Sequence, residues 1–384
     1  MKDQLPDSAT SGNKSTLSEI GRLFFKLGCI AFGGPAAHIA MMEDEVVKKR
    51  KWMSHEHFLD LVGATNLIPG PNSTEMTMHC GHERAGWPGL IVAGTCFIFP
   101  AVAITSVFAW AYQQYGQLPE VEAFIYGIKP AVIAIIISAV IALGKKALKS
   151  VELGILGAAT AIACLAGVNE IIALFGCGLA GVGLYLVRHW KSTAHSFLPL
   201  LFLQAVAVTP HLSNVRVFWS FLKVGALLYG SGYVLFAFLD AELVSKGLLT
   251  RQQLIDAIAV GQFTPGPVLS TATFVGWQLH GAWGALAATA GIFLPSFLFT
   301  ALLNPLIPKM RRSKVMGAFL DAVNVAAVAV IVAVCVEMGQ AALTDWRTVL
   351  IAIVSLLVTF VFKKLNSAFI VLGGAALGYL LTFL

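Results

Sequence analysis

Apolar runs at residues 131–143, 323–336 and 349–362 recur along the chain, separated by short polar loops. The runs are continuous and do not alternate with polar positions, so they predict helices and not the strands of a membrane barrel. Two parallel series of elements emerge. Each half begins with a broken apolar segment (20–47; 216–245) and continues with a pair of short helices (55–84; 251–280). Longer helices are predicted at 88–113, 125–148, 151–168 and 170–187, and again at 283–308, 318–340, 347–363 and 367–384. Residues 197–209 have no counterpart and read as a short span or an interfacial helix. The side on which the N-terminus lies turns on that choice.

The short pairs carry the most specific feature. Asn66-Leu67-Ile68-Pro69-Gly70-Pro71-Asn72-Ser73-Thr74 and Gln262-Phe263-Thr264-Pro265-Gly266-Pro267-Val268-Leu269-Ser270-Thr271 each place a Pro-Gly-Pro step inside an apolar stretch. Segments of about a dozen residues on either side are too short to cross a core that needs about 20. They predict half-helices, or re-entrant hairpins, meeting near the membrane midplane.

Composition narrows the class. Of 384 residues 57% are hydrophobic and 12% charged, against roughly 25% charged in soluble domains. An all-α, polytopic membrane protein follows. The net charge of +6 resides in short loops, where it sets topology beside anionic lipid; nucleic acid is not an expected partner. Residues 1–19 are polar and lack the apolar core of a cleavable signal. The six cysteines lie singly, with no Cys-x-x-Cys pair, and are expected to be buried thiols.

The halves match beyond Pro-Gly-Pro. Phe25-Lys26-Leu27-Gly28 corresponds to Leu222-Lys223-Val224-Gly225, and Phe32-Gly33-Gly34-Pro35 to Tyr229-Gly230-Ser231-Gly232. Glu43 and Glu45 fall on Asp240 and Glu242, Asp60 on Asp256, Trp87 on Trp283, Pro100 on Pro295. Loop charges swap between the copies. Lys48-Lys49-Arg50-Lys51 faces the sparser 246–251, while the bare 116–122 faces Lys309, Arg311, Arg312 and Lys314. Lys145, Lys146 and Lys149 face 339–347; Asn169-Glu170 faces Lys363-Lys364; Arg188 to Lys191 faces an uncharged end. Basic loops stay cytoplasmic, so the halves are expected to be inverted relative to one another. The expected organisation is a polar segment 1–19, a first repeat 20–190, a linker 191–213 and a second, inverted repeat 214–384.

Duplicated helix breaks are how many secondary transporters build a substrate site. Proline suits the first position of the resumed helix, where an N–H is unpaired in any case. The amides near residues 72–75 and 268–271 then aim a positive dipole end at the midplane, beside Asn72, Ser73, Thr74, Ser270 and Thr271. The alternative is a plain kink between packed helices. The glycines Gly33, Gly34, Gly230 and Gly232 allow close backbone approach or form anion nests. Lys26 and Lys223, each inside an apolar segment, either balance an anion's charge, snorkel to the interface, or pair with Asp60 and Asp256. Glu75 and His79 share one helix face, without titratable mates in the second half; they carry a coupled proton or form a polar stripe. Glu43, Glu45, Asp240 and Glu242 read as helix-end charges, and Ser54 and Thr250 as N-caps, Thr250 with Gln253 as a capping box. No Walker loop, dinucleotide fingerprint or His-Glu-x-x-His is present, so neither an enzyme, a cofactor nor a metal is expected. His55-Glu56-His57 reads as an exposed basic turn.

The Phe32-Gly33-Gly34-Pro35 element, the paired Pro-Gly-Pro steps and the Trp87/Pro100 spacing together resemble the chromate ion transporter family in its long, two-domain form, over residues 18–190 and 214–384. The resemblance implies a bacterial inner-membrane protein with antiparallel halves that exports chromate. It carries over Gly33, Gly34, Pro35, Pro69, Gly70, Pro71, Pro265, Gly266 and Pro267 as motif residues. The second half departs at Ser231 and Gly232. Expected partners are chromate, with sulfate or another oxyanion as the alternative, and membrane lipid. An anion channel, the coupling ion and the oligomeric state, a homodimer included, stay open.

Overall fold

The computed structural model describes residues 13–32, 35–116, 118–188, 213–229, 232–303, 313–362 and 365–382. Among them the secondary structure is entirely helical. The first repeat comprises α1 (Asn13–Ile30), α2 (Pro35–Met42), α3 (His55–Thr65), α4 (Asn72–Tyr115), α5 (Pro119–Ala147), α6 (Val151–Leu165) and α7 (Glu170–Arg188). The second repeats the series as α8 (Asn214–Leu227), α9 (Val234–Leu239), α10 (Arg251–Phe263), α11 (Thr271–Leu303), α12 (Lys314–Ala342), α13 (Trp346–Val361) and α14 (Ser367–Leu381). Helix α2 runs into a π-helical turn at Glu43–Lys49 and α9 into one at Asp240–Val244. Among the described residues five stretches are long and apolar enough to cross a membrane: Asn72–Tyr115, Val121–Ala147, Glu170–Arg188, Val268–Leu302 and Lys314–Ala342.

Sequence decides the helix starts as expected. The Ser54 hydroxyl accepts from the His57 amide, and Thr250 with Gln253 closes a capping box at the head of α10. Asp345 and Thr348 close a second box at the head of α13. Each satisfies amides that no helical carbonyl reaches.

Helix α4 is a hairpin. Its backbone leaves the helical region at Ala85 and Gly86 (φ +60°), and the mirrored step in α11 falls at His280 and Gly281 (φ +61°). The arms then fold back so closely that a side chain on Gly81 or Gly89 would overlap the facing backbone, as at Gly276 and Gly284. Only glycine permits that approach. These contacts pair Gly86 with Gly281 and Gly89 with Gly284. Trp87 is therefore the mate of Ala282, not of Trp283, a one-residue correction to the alignment above.

The contacts also fix orientation. Glu19 at the start of α1 lies 3.9 Å from Arg50 and 3.5 Å from Arg84, and His57 lies 3.1 Å from Glu83. The start of α1, the basic 48–51 loop and the 85–86 turn thus share one face, here called the basic face. The long arm of α4 carries the chain away from it to Tyr112 and Gln113. There Tyr112 donates to Asp256 (2.7 Å), Trp277 to Gln113 (2.8 Å) and Gln278 to the Ala109 carbonyl (3.2 Å). The second repeat's short helices therefore open onto the opposite face. The halves are inverted.

They are also interleaved. Helix α5 packs against α13 and α14 of the other repeat, and α12 against α6 and α7, while the long arms of α4 and α11 meet at the centre. Arg188 pairs with Glu152 at the basic face, whereas α8 sets out from the far one. The 197–209 segment lies outside the described residues.

Candidate functional site

Helix α1 stops at Ile30 and α8 at Leu227, partway through the bundle. A severed helix leaves its last carbonyls without helical partners. Here each break is met by the other repeat: the Gly70 amide donates to the Leu228 carbonyl at 2.7 Å, and the Gly266 amide to the Ala31 carbonyl at 2.8 Å, which His38 Nε2 of its own repeat also faces at 3.1 Å. The two Pro-Gly-Pro tips, residues 69–71 and 265–267, are buried throughout. Gly70 (φ +143°) and Gly266 (φ +94°) hold conformations that a side chain strains.

Pro71 and Pro267 stand one residue earlier than expected. Both are extended N-caps, and the helices resume at Asn72 and, through a 3-10 turn, at Val268. The Thr74 and Glu75 amides donate to the Pro71 carbonyl and the Ser270 amide to that of Pro267. The amides of Asn72 and Ser73 precede the first helical bond. The Asn72 side chain is turned toward Asn66, donating to its Oδ1 at 2.6 Å.

Around the tips lies a set of fully buried polar side chains. Ser73, Thr74, Glu75 and His79 line the short arm of α4, and Ser270 and Thr271 the passage from the 3-10 turn into α11. Both carboxyl oxygens of Glu75, the Thr74 and Ser270 hydroxyls and His79 Nε2 lack a hydrogen-bond partner among the described residues. Ser296 joins them from the long arm of α11. A Cβ on Gly70 would overlap Glu75 Oε1 and lie 2.9 Å from Ser296 Oγ, so carboxyl and hydroxyl converge on that glycine. Buried polar groups without partners are costly and rare, and a cluster of them at a helix break fits a place where a polar ligand or water sits. Gly33, Gly34 and Gly230 lie outside the described residues.

The lysines sit apart. Lys26 lies 3.5 Å from Glu45 with its side chain 57% exposed, and Lys223 pairs with Glu242. Glu45 also holds Lys49 (3.1 Å) and Arg50, and Glu242 holds Lys246 (2.6 Å). The pairing of Lys223 with Asp256 does not form: Asp256 instead faces Lys129 at 3.4 Å. The π-helical turns swing Glu45 and Glu242 round to the lysines, so two residues read as helix-end charges are mirrored clamps. The equal separation of lysine and glutamate in both halves was the available signal. The His55-Glu56-His57 turn is tied up in pairs, His55 with Glu43 and His57 with Glu83. No group of three metal-ligating side chains occurs among the described residues.

Comparison with known proteins gives this architecture a family. The chromate transporter family profile matches residues 18–182 and again 215–379, one copy on each repeat. The chain belongs to the chromate transporter family. It is 31% identical to a chromate transport protein of Cupriavidus metallidurans, over 98% of this chain and 97% of that one. A probable chromate transport protein of Synechococcus elongatus is 31% identical over 94% and 95% of the two chains. An uncharacterized transporter of Methanocaldococcus jannaschii is 26% identical over 98% and 97%. No solved structure matches the chain. Family membership and the apolar helices together make this a multi-pass membrane transport protein.

Proposed function

We propose that this protein exports chromate across the bacterial inner membrane as a secondary active transporter, binding the dianion at the facing helix breaks. The observation that carries the reading is the reciprocal exchange of Gly70 and Gly266 amides beside a buried set of partnerless polar groups. Ser73, Thr74 and Ser270, with the first amides of α4 and α11, contact the anion. Pro69, Pro71, Pro265 and Pro267 hold the two amino ends in place, and Lys26 and Lys223 bias the approaches electrostatically. The names of the curated relatives supply the substrate.

Energetics favour the direction. With the interior negative, each elementary charge is worth about 2.3 kcal/mol per 100 mV, so a dianion gains about twice that on leaving.

Alternating access draws support from an asymmetry between mates. Helix α10 is buried against α4, α5, α12 and α14, and its Asp256 is locked to Lys129 and Tyr112. Its mate α3 rests on α4 and the π-helical turn of its own repeat, with Asp60 exposed. Exchanging these two states between the repeats would close the basic face and open the other.

Glu75 and His79 are the coupling pair in this reading. A carboxylate beside a bound dianion is repelled, so Glu75 takes a proton when the substrate binds.

The test uses everted vesicles with an imposed potential. Labelled chromate accumulates, sulfate competes, and uptake collapses for Gly70→Leu at equal expression. Uptake that ignores the potential, or survives that change, overturns the reading.

A further inference from the structure

Hydroxyl side chains inside this bundle generally bond back to their own helix. Thr77 donates to the Ser73 carbonyl (3.0 Å), Thr160 to Leu156 (2.8 Å), Thr264 to Val260 (2.7 Å) and Thr289 to Ala285 (2.7 Å). Thr74, Thr105, Ser270, Ser296 and Thr300 do not: each hydroxyl is buried, with no partner among the described residues. A carbonyl one turn back is the usual resort of a serine or threonine within a helix. In Thr105, Ser296 and Thr300 it goes unused.

These three are placed systematically. The register fixed by the glycine hairpins makes Thr105 and Thr300 repeat mates, five residues after Pro100 and Pro295. Ala101 lies against Gly266, where a Cβ would sit 2.8 Å from its own, and Ser296 approaches Gly70. Thr105 follows Ala101 by one turn, about 6 Å, toward the far face; Thr300 follows Ser296 by one turn toward the basic face. The partnerless hydroxyls thus start at the breaks and extend one turn outward in both directions.

We propose that Ser296 contacts the substrate, and that Thr300 and Thr105 are its next stations toward the two faces. The inference rests on the oxyanion reading above and names the groups that recognise it. A tetrahedral oxyanion has only acceptors to offer, and hydroxyls supply donors without a countercharge. A line of neutral donors strips water from the dianion and lets it go again, where a buried cation would retain it. Because the mate of Ser296 is Ala101, the contact belongs to the first break, beside Glu75.

Two measurements test this in proteoliposomes. Ser296→Ala raises the KM for chromate about tenfold, the size of one hydrogen bond to a charged group, while Thr160→Val on α6 leaves it unchanged. An unchanged KM in Ser296→Ala overturns the assignment. Independently, Thr105→Cys, Ser296→Cys and Thr300→Cys are made in a chain whose six native cysteines are replaced. A small anionic methanethiosulfonate then labels all three, and sulfate or molybdate, which do not oxidise thiols, slow the labelling. Absence of labelling in a variant that still transports overturns the proposal, as does labelling that neither oxyanion slows. Protection by either oxyanion without any chromate flux upholds the hydroxyl line and sinks the chromate reading instead.

Discussion

The Gly70 amide donates to the Leu228 carbonyl at 2.7 Å, so the tip of one repeat caps the severed first helix of the other. Gly266 returns the bond to Ala31. Each break draws an amide from the opposite repeat, and at Ala31 the His38 ring of its own repeat adds a second contact, Nε2 lying 3.1 Å from the carbonyl. A change in the tilt of one Pro-Gly-Pro hairpin is therefore felt directly at the broken helix of its mate, a route by which two inverted halves move together.

Gly266→Ala tests how tightly that exchange is held. The new Cβ meets the Ala101 Cβ at 2.8 Å and must adopt φ +94°. Left-handed geometry alone costs roughly 1–2 kcal/mol, and the overlap adds to it. Thermal unfolding in detergent is expected to fall accordingly. Adding Ala101→Gly removes the overlap and recovers part of the loss, leaving the backbone strain. A double variant no better than Gly266→Ala would show that the contact is relieved elsewhere.

Asp345 links the repeats at the far face. It caps α13 through the Thr348 amide and accepts from the Tyr126 hydroxyl on α5. The Tyr126 bond, then the Thr348 amide, hold its carboxyl below the usual value of 3.8. A depressed carboxylate contributes stability that is present above the unfolded value and lost as pH falls through the folded one. Asp345→Ala forfeits the cap, about 1 kcal/mol. Asp345→Asn keeps an acceptor but no charge, so its melting temperature should converge on that of the wild type as pH drops below about 4. A gap that stays constant with pH would assign the effect to shape alone.

Much of this architecture is legible in the sequence. The Pro-Gly-Pro steps announced the breaks because no continuous helix needs them, and the swapped loop charges announced the inversion. The capping residues Ser54 and Thr250 were readable from local chemistry. The site was only half legible. Ser73, Thr74 and Ser270 follow the breaks in sequence, whereas Ser296 comes from the long arm of α11, and nothing local marks its approach to Gly70. The lysine–glutamate clamps are not legible locally, because a π-helical turn shifts Glu45 and Glu242 off the face that a regular helix would give them. Thr105 and Thr300 carry no local mark either, since two threonines in apolar helices ordinarily bond to their own backbone.

Glu75 is where the two breaks differ most, since the corresponding step of the second repeat offers only Ser270 and Thr271. Its carboxyl is fully buried, with no partner among the described residues; Ser296 and Gly70 adjoin it, and His79 lies one turn along the same arm. Tyr229, just past the end of α8, is a titratable group of the other repeat near it. A dianion next to an ionised Glu75 would set like charges together in a poorly solvated site. Binding should therefore take up a proton, and oxyanion affinity should fall as pH rises. Sulfate is the suitable probe, because its own charge is constant across the range. Glu75→Gln is expected to bind sulfate at high pH as well as the wild type does at low pH, with a flat profile between. Glu75→Asp keeps the slope. Were Glu75→Gln to retain the wild-type slope, the proton would have to ride on another group, and His79→Gln would be the variant to compare.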